Sequence, residues 1–370
     1  MMFQPQGVHM YFITNRQIDT SKHGFDKFTK HPNVKGPNEL QAVEITGVTT
    51  PKFKLLKDQL STAEAKRLKN KFNLDIDENA PHYASLTVAC RVFEQARKTC
   101  KNVLLYVHGY NNDIKDVYST AREIERLYDV IVVTFTWPAN GGGALSGTLS
   151  YLADKRDARA SQDALNRCLD LVGKYHALLT MAARKALEER ASKKFIDNPT
   201  KQREFLSELI KKDCDLSVSL LCHSMGNYVL KYALTSSLAE SRKLIFDNII
   251  LAAADANNEL HQTWVEKLQV RNSIYITINE NDFALSWSRR KPGEQQKARL
   301  GHYLKKLDAT NATYVDFTRE KAVNNSHTYF DKKTVANNKG ALRFFKKVFS
   351  GNDVTPYLEF LSHNNTYRPK

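Results

Sequence analysis

The chain alternates short apolar runs with longer segments in which apolar residues recur at helical spacing. Runs of four to eight aliphatic or aromatic residues between polar segments are typical of strands buried on both faces of a sheet. Apolar stripes in the segments 229–234 and 342–349 have the spacing of helices that pack against a core. The predicted strands are residues 8–14, 40–48, 103–107, 130–137, 216–222, 248–254, 273–279 and 313–318.

This alternation predicts the fold class. Strands separated by helices need crossover connections, which give a mostly parallel sheet with helices on both faces. We therefore predict an α/β fold whose core is residues 101–350. Residues 1–100 are expected to pack N-terminal strands and a polar helical segment on the same domain, and residues 351–370 to form a C-terminal tail.

One segment is too long for a plain crossover helix. Residues 154–215 have helical character throughout, and residues 181–212 carry nine Lys or Arg against five Asp or Glu. We predict an inserted helical pair at 176–212 on one edge of the sheet. Its charge fits a solvated hairpin, and the functional alternative is a lid over a substrate cleft.

The composition narrows the class of protein. Hydrophobic residues make up 42% and charged residues 26%, which excludes a disordered chain, a collagen-like repeat and a coiled-coil rod. Lys and Arg number 55 against 40 Asp and Glu, giving a net charge of +15. Such a surplus favours anionic partners, among them nucleic acid, phosphorylated substrates and anionic lipid headgroups.

The cysteines and the length of the apolar runs indicate the cellular compartment. No apolar run approaches the roughly 20 residues of a bilayer span, and the first residues lack a signal-peptide pattern. The cysteines are odd in number and match no zinc-site spacing. We expect them to be reduced and the protein to be cytoplasmic, with a peripheral membrane location as an option. They are Cys90, Cys100, Cys168, Cys214 and Cys222.

The most informative segment is 216–230, where a buried strand leads through the letters CHSMG at 222–226 into an amphipathic helix. A serine in this strand–turn–helix context sits on a nucleophile elbow, which requires small residues two positions before and after it. Cys222 and Gly226 meet that requirement. The elbow exposes the Ser224 hydroxyl at the carboxyl end of the sheet, beside helix N–H groups that favour an oxyanion. Ser224 is therefore the candidate nucleophile, and an ordinary capping serine is the alternative.

The loop after the strand at 103–107 reads VHGYNN. Gly109 allows the backbone to approach the elbow closely. We predict that the backbone N–H groups of Tyr110 and Met225 form the oxyanion hole. His108 is expected to hold the loop by hydrogen bonds rather than to act as a base. By itself the loop could also be an ordinary tight turn.

A serine nucleophile needs a general base, and the base needs an orienting carboxylate. In an elbow-based site these follow the serine in the order acid, then histidine. His327, after the last predicted strand, is the candidate base, and His302 is the second choice. Asp282 is the candidate acid and Asp255 the alternative, because both follow strands at their carboxyl ends. Spacing alone does not decide between the two aspartates.

These residues together resemble the α/β-hydrolase superfamily. More narrowly, the chain is similar to an esterase/lipase-like, mainly bacterial group known chiefly as a domain of unknown function. Cys222 departs from that group, which usually has alanine there, and the insert at 176–212 is longer than usual for it. The matching motifs are YFITNR at 11–16, VHGYNN at 107–112, TWP at 136–138 followed by Gly141 and Gly142, HSMGN at 223–227, LAAADA at 251–256, NDFAL at 281–285 and SHTYF at 326–330.

The resemblance implies serine hydrolase chemistry on a carboxylic ester. In that chemistry Ser224 attacks a carbonyl, His327 takes the proton, Asp282 orients the imidazole, and the two N–H groups hold the oxyanion. It requires no metal and no organic cofactor. The substrate would be a small-molecule or lipid acyl ester.

The segment 288–307 carries seven Lys or Arg against one Glu. A solvated basic loop is the simplest interpretation. The functional alternative is a docking surface for an anionic substrate or an anionic membrane. Nucleic-acid binding is disfavoured, because no recognition motif is present. The rival functions are a membrane-surface lipase or phospholipase and a catalytically idle hydrolase fold that serves as a basic binding module.

Overall fold

The computed structural model describes residues 9–139, 147–214, 216–236, 244–290 and 298–370, with the backbone alone at 147–150. The predicted motif residues Gly141 and Gly142 and the basic segment 291–297 lie outside the described residues. The strands are β1 His9–Thr14, β2 Arg16–Ile18, β3 Phe28–Pro32, β4 Gln41–Thr46, β5 Lys52–Leu55, β6 Val103–Val107, β7 Ile131–Thr136, β8 Val218–His223, β9 Phe246–Ala252, β10 Val270–Ile278, β11 Ala312–Asp316, β12 Leu358–Leu361 and β13 Thr366–Pro369. The helices are α1 Thr62–Phe72, α2 Ala84–Thr99, α3 Ile114–Tyr128, α4 Gly147–Ala160, α5 Gln162–Lys194, α6 Pro199–Lys212, α7 Gly226–Thr235, α8 Gln262–Val265, α9 Phe283–Arg290, α10 Lys332–Val335 and α11 Lys339–Phe349.

Eleven strands form one sheet in the order β12-β13-β11-β10-β9-β8-β6-β7-β1-β4-β5. The strands from β13 to β1 in that order are parallel, and β4, β5 and β12 add antiparallel edges. Successive residues of β6 pack into two different hydrophobic cores: Leu104 lies on one face of the sheet and Leu105 on the other. The predicted α/β fold with helices on both faces is therefore confirmed.

All eight predicted strands are present, with ends that differ from the prediction by a few residues. The strands that were not predicted are β2, β3, β5, β12 and β13. They are short and have few buried positions, so the sequence shows no apolar run there. In particular, residues 351–370 are more than a tail, because β12 and β13 form a hairpin that extends the sheet. Their two alternating strands expose about half of their side chains, which is why the sequence pattern is weak.

The predicted insert is one long helix and its return helix. The 33-residue α5 includes the first part of the predicted pair, and α6 packs back against it, with the rings of Phe195 and Phe205 in contact. Tyr175 and Leu179 of α5 are buried against α1 and α2. The pair leads into the amino end of β8, the end of the sheet opposite Ser224. It therefore does not act as a lid over that serine.

Cys100 and Cys214 form a disulfide, with their Cα atoms 5.4 Å apart. Cys90, Cys168 and Cys222 are free and buried. The expectation of reduced cysteines is therefore wrong for one pair. Disulfides are rare in reducing compartments, so this pair weakens the sequence-based reason for a cytoplasmic location. No helix among the described residues is long and apolar enough to cross a bilayer.

Reducing this disulfide should lower the free energy of unfolding by about 3–5 kcal/mol, because the bond closes a loop of over a hundred residues in the unfolded chain. Urea unfolding with and without a reductant measures the difference. The double variant Cys100→Ser/Cys214→Ser should unfold at the same urea concentration in both conditions. An equal free energy for the native protein in both conditions would contradict the pairing.

Candidate active site

Ser224 lies on a strained turn between β8 and α7. Its φ is +52°, in the left-handed region that side-chain-bearing residues rarely adopt. The turn is tied to the neighbouring strand, since the Ser224 N–H donates to the Ala252 carbonyl and the Asp255 N–H donates to the Ser224 carbonyl, at 3.0 and 3.1 Å. A non-glycine residue held this way at the end of a parallel strand is the geometry of a nucleophile elbow.

Close packing explains the small residues around the turn. A Cβ on Gly226 would lie 2.6 Å from the Val107 carbonyl oxygen, so only glycine fits there. Asn227, which the sequence analysis did not single out, is fully buried and its side-chain amide donates to the carbonyls of Cys222 and Ser224. The HSMGN motif thus contains a side chain that braces the turn from inside.

The loop after β6 packs directly on the elbow. A Cβ on Gly109 would lie 2.7 Å from Ser224 Cβ, which explains the glycine in the VHGYNN motif. Tyr110, the next residue, packs its ring edge-on against Tyr151. On the other side of the turn, the Met225 N–H donates no hydrogen bond within the described part of the chain. Of the predicted oxyanion-hole residues, Tyr110 therefore follows the glycine that packs against Ser224, and Met225 follows Ser224 itself.

On the predicted oxyanion role of the Tyr110 N–H, substituting Gly109 by alanine should lower kcat for ester hydrolysis about 100- to 1000-fold, because the added Cβ would force the loop away from Ser224 and move that N–H. Steady-state turnover of an ester measures the loss, and an unchanged circular dichroism spectrum shows that the fold is retained. Native turnover by a folded Gly109→Ala variant would contradict this role of the loop.

His108 is buried and neutral. The Trp137 N–H and the Thr136 hydroxyl donate to its Nε2, and its Nδ1–H donates to the Gly109 carbonyl. Burial and the nearby Arg16 lower the pKa of His108 to about 3. The structure thus confirms that His108 holds the loop by hydrogen bonds.

The YFITNR motif supports the same loop from beneath. Arg16 is almost completely buried and donates to the Thr136 hydroxyl, to the Ala139 carbonyl and, at 3.4 Å, to the Asn112 carbonyl. Burial lowers the pKa of Arg16 to about 10, so the side chain stays charged at neutral pH. The sequence suggested no role for this arginine, because these three partners lie about a hundred residues or more along the chain.

His327 and Asp282 form a direct pair. The His327 Nδ1–H donates to Asp282 Oδ2 at 2.7 Å, and the other carboxylate oxygen accepts from the Leu285 N–H. Asp282 is fully buried, whereas about a quarter of the His327 side chain is exposed. With the proton held on Nδ1, the Nε2 of the neutral ring carries a lone pair that can accept a proton.

The charge environment of His327 favours its protonated form. Burial acts to lower the pKa of His327, but the negative charge of Asp282 and the hydrogen bond to it outweigh burial, so the pKa lies above its ordinary value. Asp255 contributes in the same direction. These charges stabilise the imidazolium form of His327.

His223, the residue before the elbow serine, places the His327 loop. Its ring lies 4.7 Å from the His327 ring, centroid to centroid, and its Nε2–H donates to the His327 carbonyl at 3.1 Å. Burial and the neighbouring His327 lower the pKa of His223 to about 3, so it is neutral. Within the described residues, no hydrogen bond joins Ser224 Oγ to the His327 ring. The candidate nucleophile and the candidate base are therefore not hydrogen-bonded to each other in this structure, although in serine hydrolases this contact is often long until substrate binds.

Asp255 belongs to a different network. Its carboxylate forms a buried ion pair with Arg299 at 3.0 Å and accepts from the hydroxyls of Ser288 and Tyr151. Arg299 lies in the segment that the charge pattern suggested as a solvated basic loop, yet only about 1% of its side chain is exposed. Of the two candidate aspartates, Asp282 pairs with His327 and Asp255 with Arg299.

The second-choice histidine, His302, forms no ion pair with a carboxylate of the residues that the structure describes. Burial lowers the pKa of His302, and within the described ranges its Nδ1 has no hydrogen-bond partner. The described residues hold no cluster of three or more His, Cys, Asp or Glu side chains that could bind a metal ion.

The mostly parallel sheet, the helices on both faces and the strained serine turn after β8 define an α/β-hydrolase fold. Residues 88–181 and 188–338, about two thirds of the chain, match the family described as "Alpha/beta hydrolase of unknown function (DUF900)". The chain belongs to this family. No curated protein and no solved structure matches it.

Proposed function

We propose that the protein is a serine hydrolase that cleaves carboxylic esters through an acyl-enzyme. The observation that carries this proposal is the 2.7 Å pair between His327 Nδ1 and Asp282 Oδ2, which keeps the lone pair of the neutral ring on Nε2, in a ring 4.7 Å from that of His223, the residue before Ser224. A base oriented by a buried carboxylate is what a serine hydroxyl needs in order to attack a carbonyl at neutral pH.

The acylation step uses these groups as follows. Ser224 Oγ forms a bond to the ester carbonyl carbon while its proton moves to His327 Nε2. The carbonyl π electrons move to oxygen, and the backbone N–H groups of Tyr110 and Met225 stabilise the oxyanion that results. When the tetrahedral intermediate collapses, the bond to the alcohol oxygen breaks and the His327 imidazolium protonates the departing alcohol.

Deacylation repeats the sequence with water. His327 Nε2 takes a proton from water as the water oxygen attacks the acyl carbon, and the same proton returns to Ser224 Oγ when the acid leaves. Asp282 keeps the Nδ1 proton in place throughout and stabilises the imidazolium, without itself being protonated. The substrate is a small-molecule or lipid acyl ester.

A membrane-surface lipase or phospholipase is the second candidate, because exposed aromatic side chains lie next to Asp282 on α9. The third candidate is a catalytically idle binding module. The buried His327–Asp282 pair argues against it, because a binding module does not require a histidine oriented by a carboxylate. We also propose a cytoplasmic or membrane-peripheral location. Such a location requires conditions in which the disulfide between Cys100 and Cys214 stays oxidised.

Ester turnover tests the proposal and separates the two enzymatic candidates. Short-chain p-nitrophenyl esters should be hydrolysed in solution by an esterase, whereas a lipase should become markedly more active when a long-chain ester is presented above its critical micelle concentration. No hydrolysis of either class by the purified, folded protein would contradict the proposal.

The pH dependence follows from the raised pKa of His327. Only the neutral ring accepts the Ser224 proton, so kcat/KM should rise with pH through a midpoint above 6.5, the ordinary histidine value. In Asp282→Asn the carboxylate charge is lost while burial persists, so the midpoint should fall. A native midpoint at or below 6.5 would contradict the pairing of His327 with an ionised Asp282.

A further inference from the structure

The outward face of α9 carries two exposed aromatic side chains. Phe283 is 59% and Trp287 51% exposed, and their ring centroids are 6.1 Å apart, one helical turn from each other. On the inward face, Leu285 and Ser288 are buried. The helix is therefore anchored in the fold while it presents an apolar pair to solvent.

Trp287 differs in its exposure from the other tryptophans of the chain. The other two tryptophans, Trp137 and Trp264, are at most 1% exposed. Exposed aromatic side chains that cluster together are typical of a binding surface.

Positive charge borders the aromatic pair. Arg289 and Arg290 occupy the last turn of α9 and are exposed. In the described part of the chain, no ion pair uses either guanidinium. The turn Leu300–His302 packs against α9, and the exposed Lys305 and Lys306 follow it closely in sequence.

The same helix is tied to the candidate active site. Asp282, the partner of His327, immediately precedes α9, and the Phe283 N–H donates to the Asn325 carbonyl in the loop that carries His327. The aromatic pair therefore lies on the helix whose first turn adjoins the His327–Asp282 pair.

We propose that Phe283, Trp287, Arg289 and Arg290, here called the α9 patch, dock the protein on an anionic phospholipid bilayer. Tryptophan and phenylalanine insert at the level of the headgroups, and each basic residue near the surface adds attraction to anionic lipid. The net charge of +15 acts in the same direction. A specific protein partner would need a surface of about 20–30 residues a side, far more than this patch supplies.

Docking would bring α9, which begins next to Asp282, to the lipid surface. It deepens the proposed function, but its test does not rest on catalysis, because binding to vesicles is measured without turnover. Failure of the catalytic proposal and failure of docking therefore give different results.

Trp287 provides a direct optical signal, since it is the exposed member of the three tryptophans. Vesicles of phosphatidylcholine with about 30% phosphatidylserine should shift the tryptophan emission to shorter wavelength and protect it from acrylamide quenching. Vesicles of phosphatidylcholine alone should give a much weaker effect, and added salt should reduce binding to the anionic vesicles.

Variants assign the effect to the patch. In vesicle co-sedimentation, Arg289→Gln/Arg290→Gln and, separately, Phe283→Ser should each weaken binding about tenfold or more. Arg190→Gln/Lys193→Gln, which removes the same charge from exposed positions in α5, should bind like the native protein. Any of three results would overturn the proposal: no phosphatidylserine-dependent shift, equal losses in the patch and control variants, or a vesicle-independent shift that grows with protein concentration and so reveals self-association through the patch.

Discussion

Replacing Ser224 by alanine is expected to lower kcat for ester hydrolysis by about 10⁶-fold, because no other group can form the acyl-enzyme. Stability should change by less than about 1 kcal/mol, since the Ser224 hydroxyl donates no hydrogen bond within the described residues and alanine retains the backbone bonds to Ala252 and Asp255. The measurement is steady-state turnover together with urea unfolding of the native and variant proteins.

A matched control is Ser192→Ala, in which a surface serine of α5 is removed without touching the sheet. It should retain native turnover. If Ser224→Ala kept more than a small fraction of the native rate, a different residue would be the nucleophile.

Replacing Asp282 by asparagine should lower kcat by about 10⁴-fold with little loss of stability, because an asparagine side chain favours the wrong imidazole tautomer and removes the charge that stabilises the imidazolium. The hydrogen bond from the Leu285 N–H to the side-chain oxygen can be retained, so the start of α9 should remain folded. Turnover and urea unfolding, measured on the same preparation, separate the two effects.

Asp255→Asn should have the opposite effect, a large loss of stability and a small loss of rate. It leaves the buried guanidinium of Arg299 without its counter-charge, which should cost about 3–5 kcal/mol of stability, while the rate per folded molecule falls far less than in Asp282→Asn. The double variant Asp255→Asn/Arg299→Met should recover part of the lost stability, because the uncompensated charge is gone. Equal losses of rate in the two aspartate variants would contradict the assignment of separate roles.

Local pattern was enough to predict much of this molecule. A buried parallel strand announces itself by a continuous apolar run, so β6, β7 and β8 could be placed from sequence alone. The elbow is equally local, since the strand, the small residues and the helix lie within fifteen positions of one another. The resemblance to a known fold added the order in which acid and histidine follow the serine.

Long-range pairing could not be predicted in the same way. Asp255 and Asp282 both follow a strand, and they differ only in their partners, Arg299 and His327, which are about 45 residues further along the chain. The burial of Arg299 was not predicted, because residues in a basic segment are usually solvated. Arg299 is instead buried and paired with Asp255. The Cys100–Cys214 disulfide spans 114 positions, and nothing in their spacing marks it.

The most direct test of the central claim is covalent labelling with a fluorophosphonate, followed by peptide mass spectrometry to locate the adduct. The reagent reacts with a serine only when a neighbouring base activates it, so the native protein and Ser192→Ala should be labelled at Ser224, and Ser224→Ala and His327→Ala should not. An unlabelled native protein, or an adduct on any other residue, would contradict the claim that His327 activates Ser224.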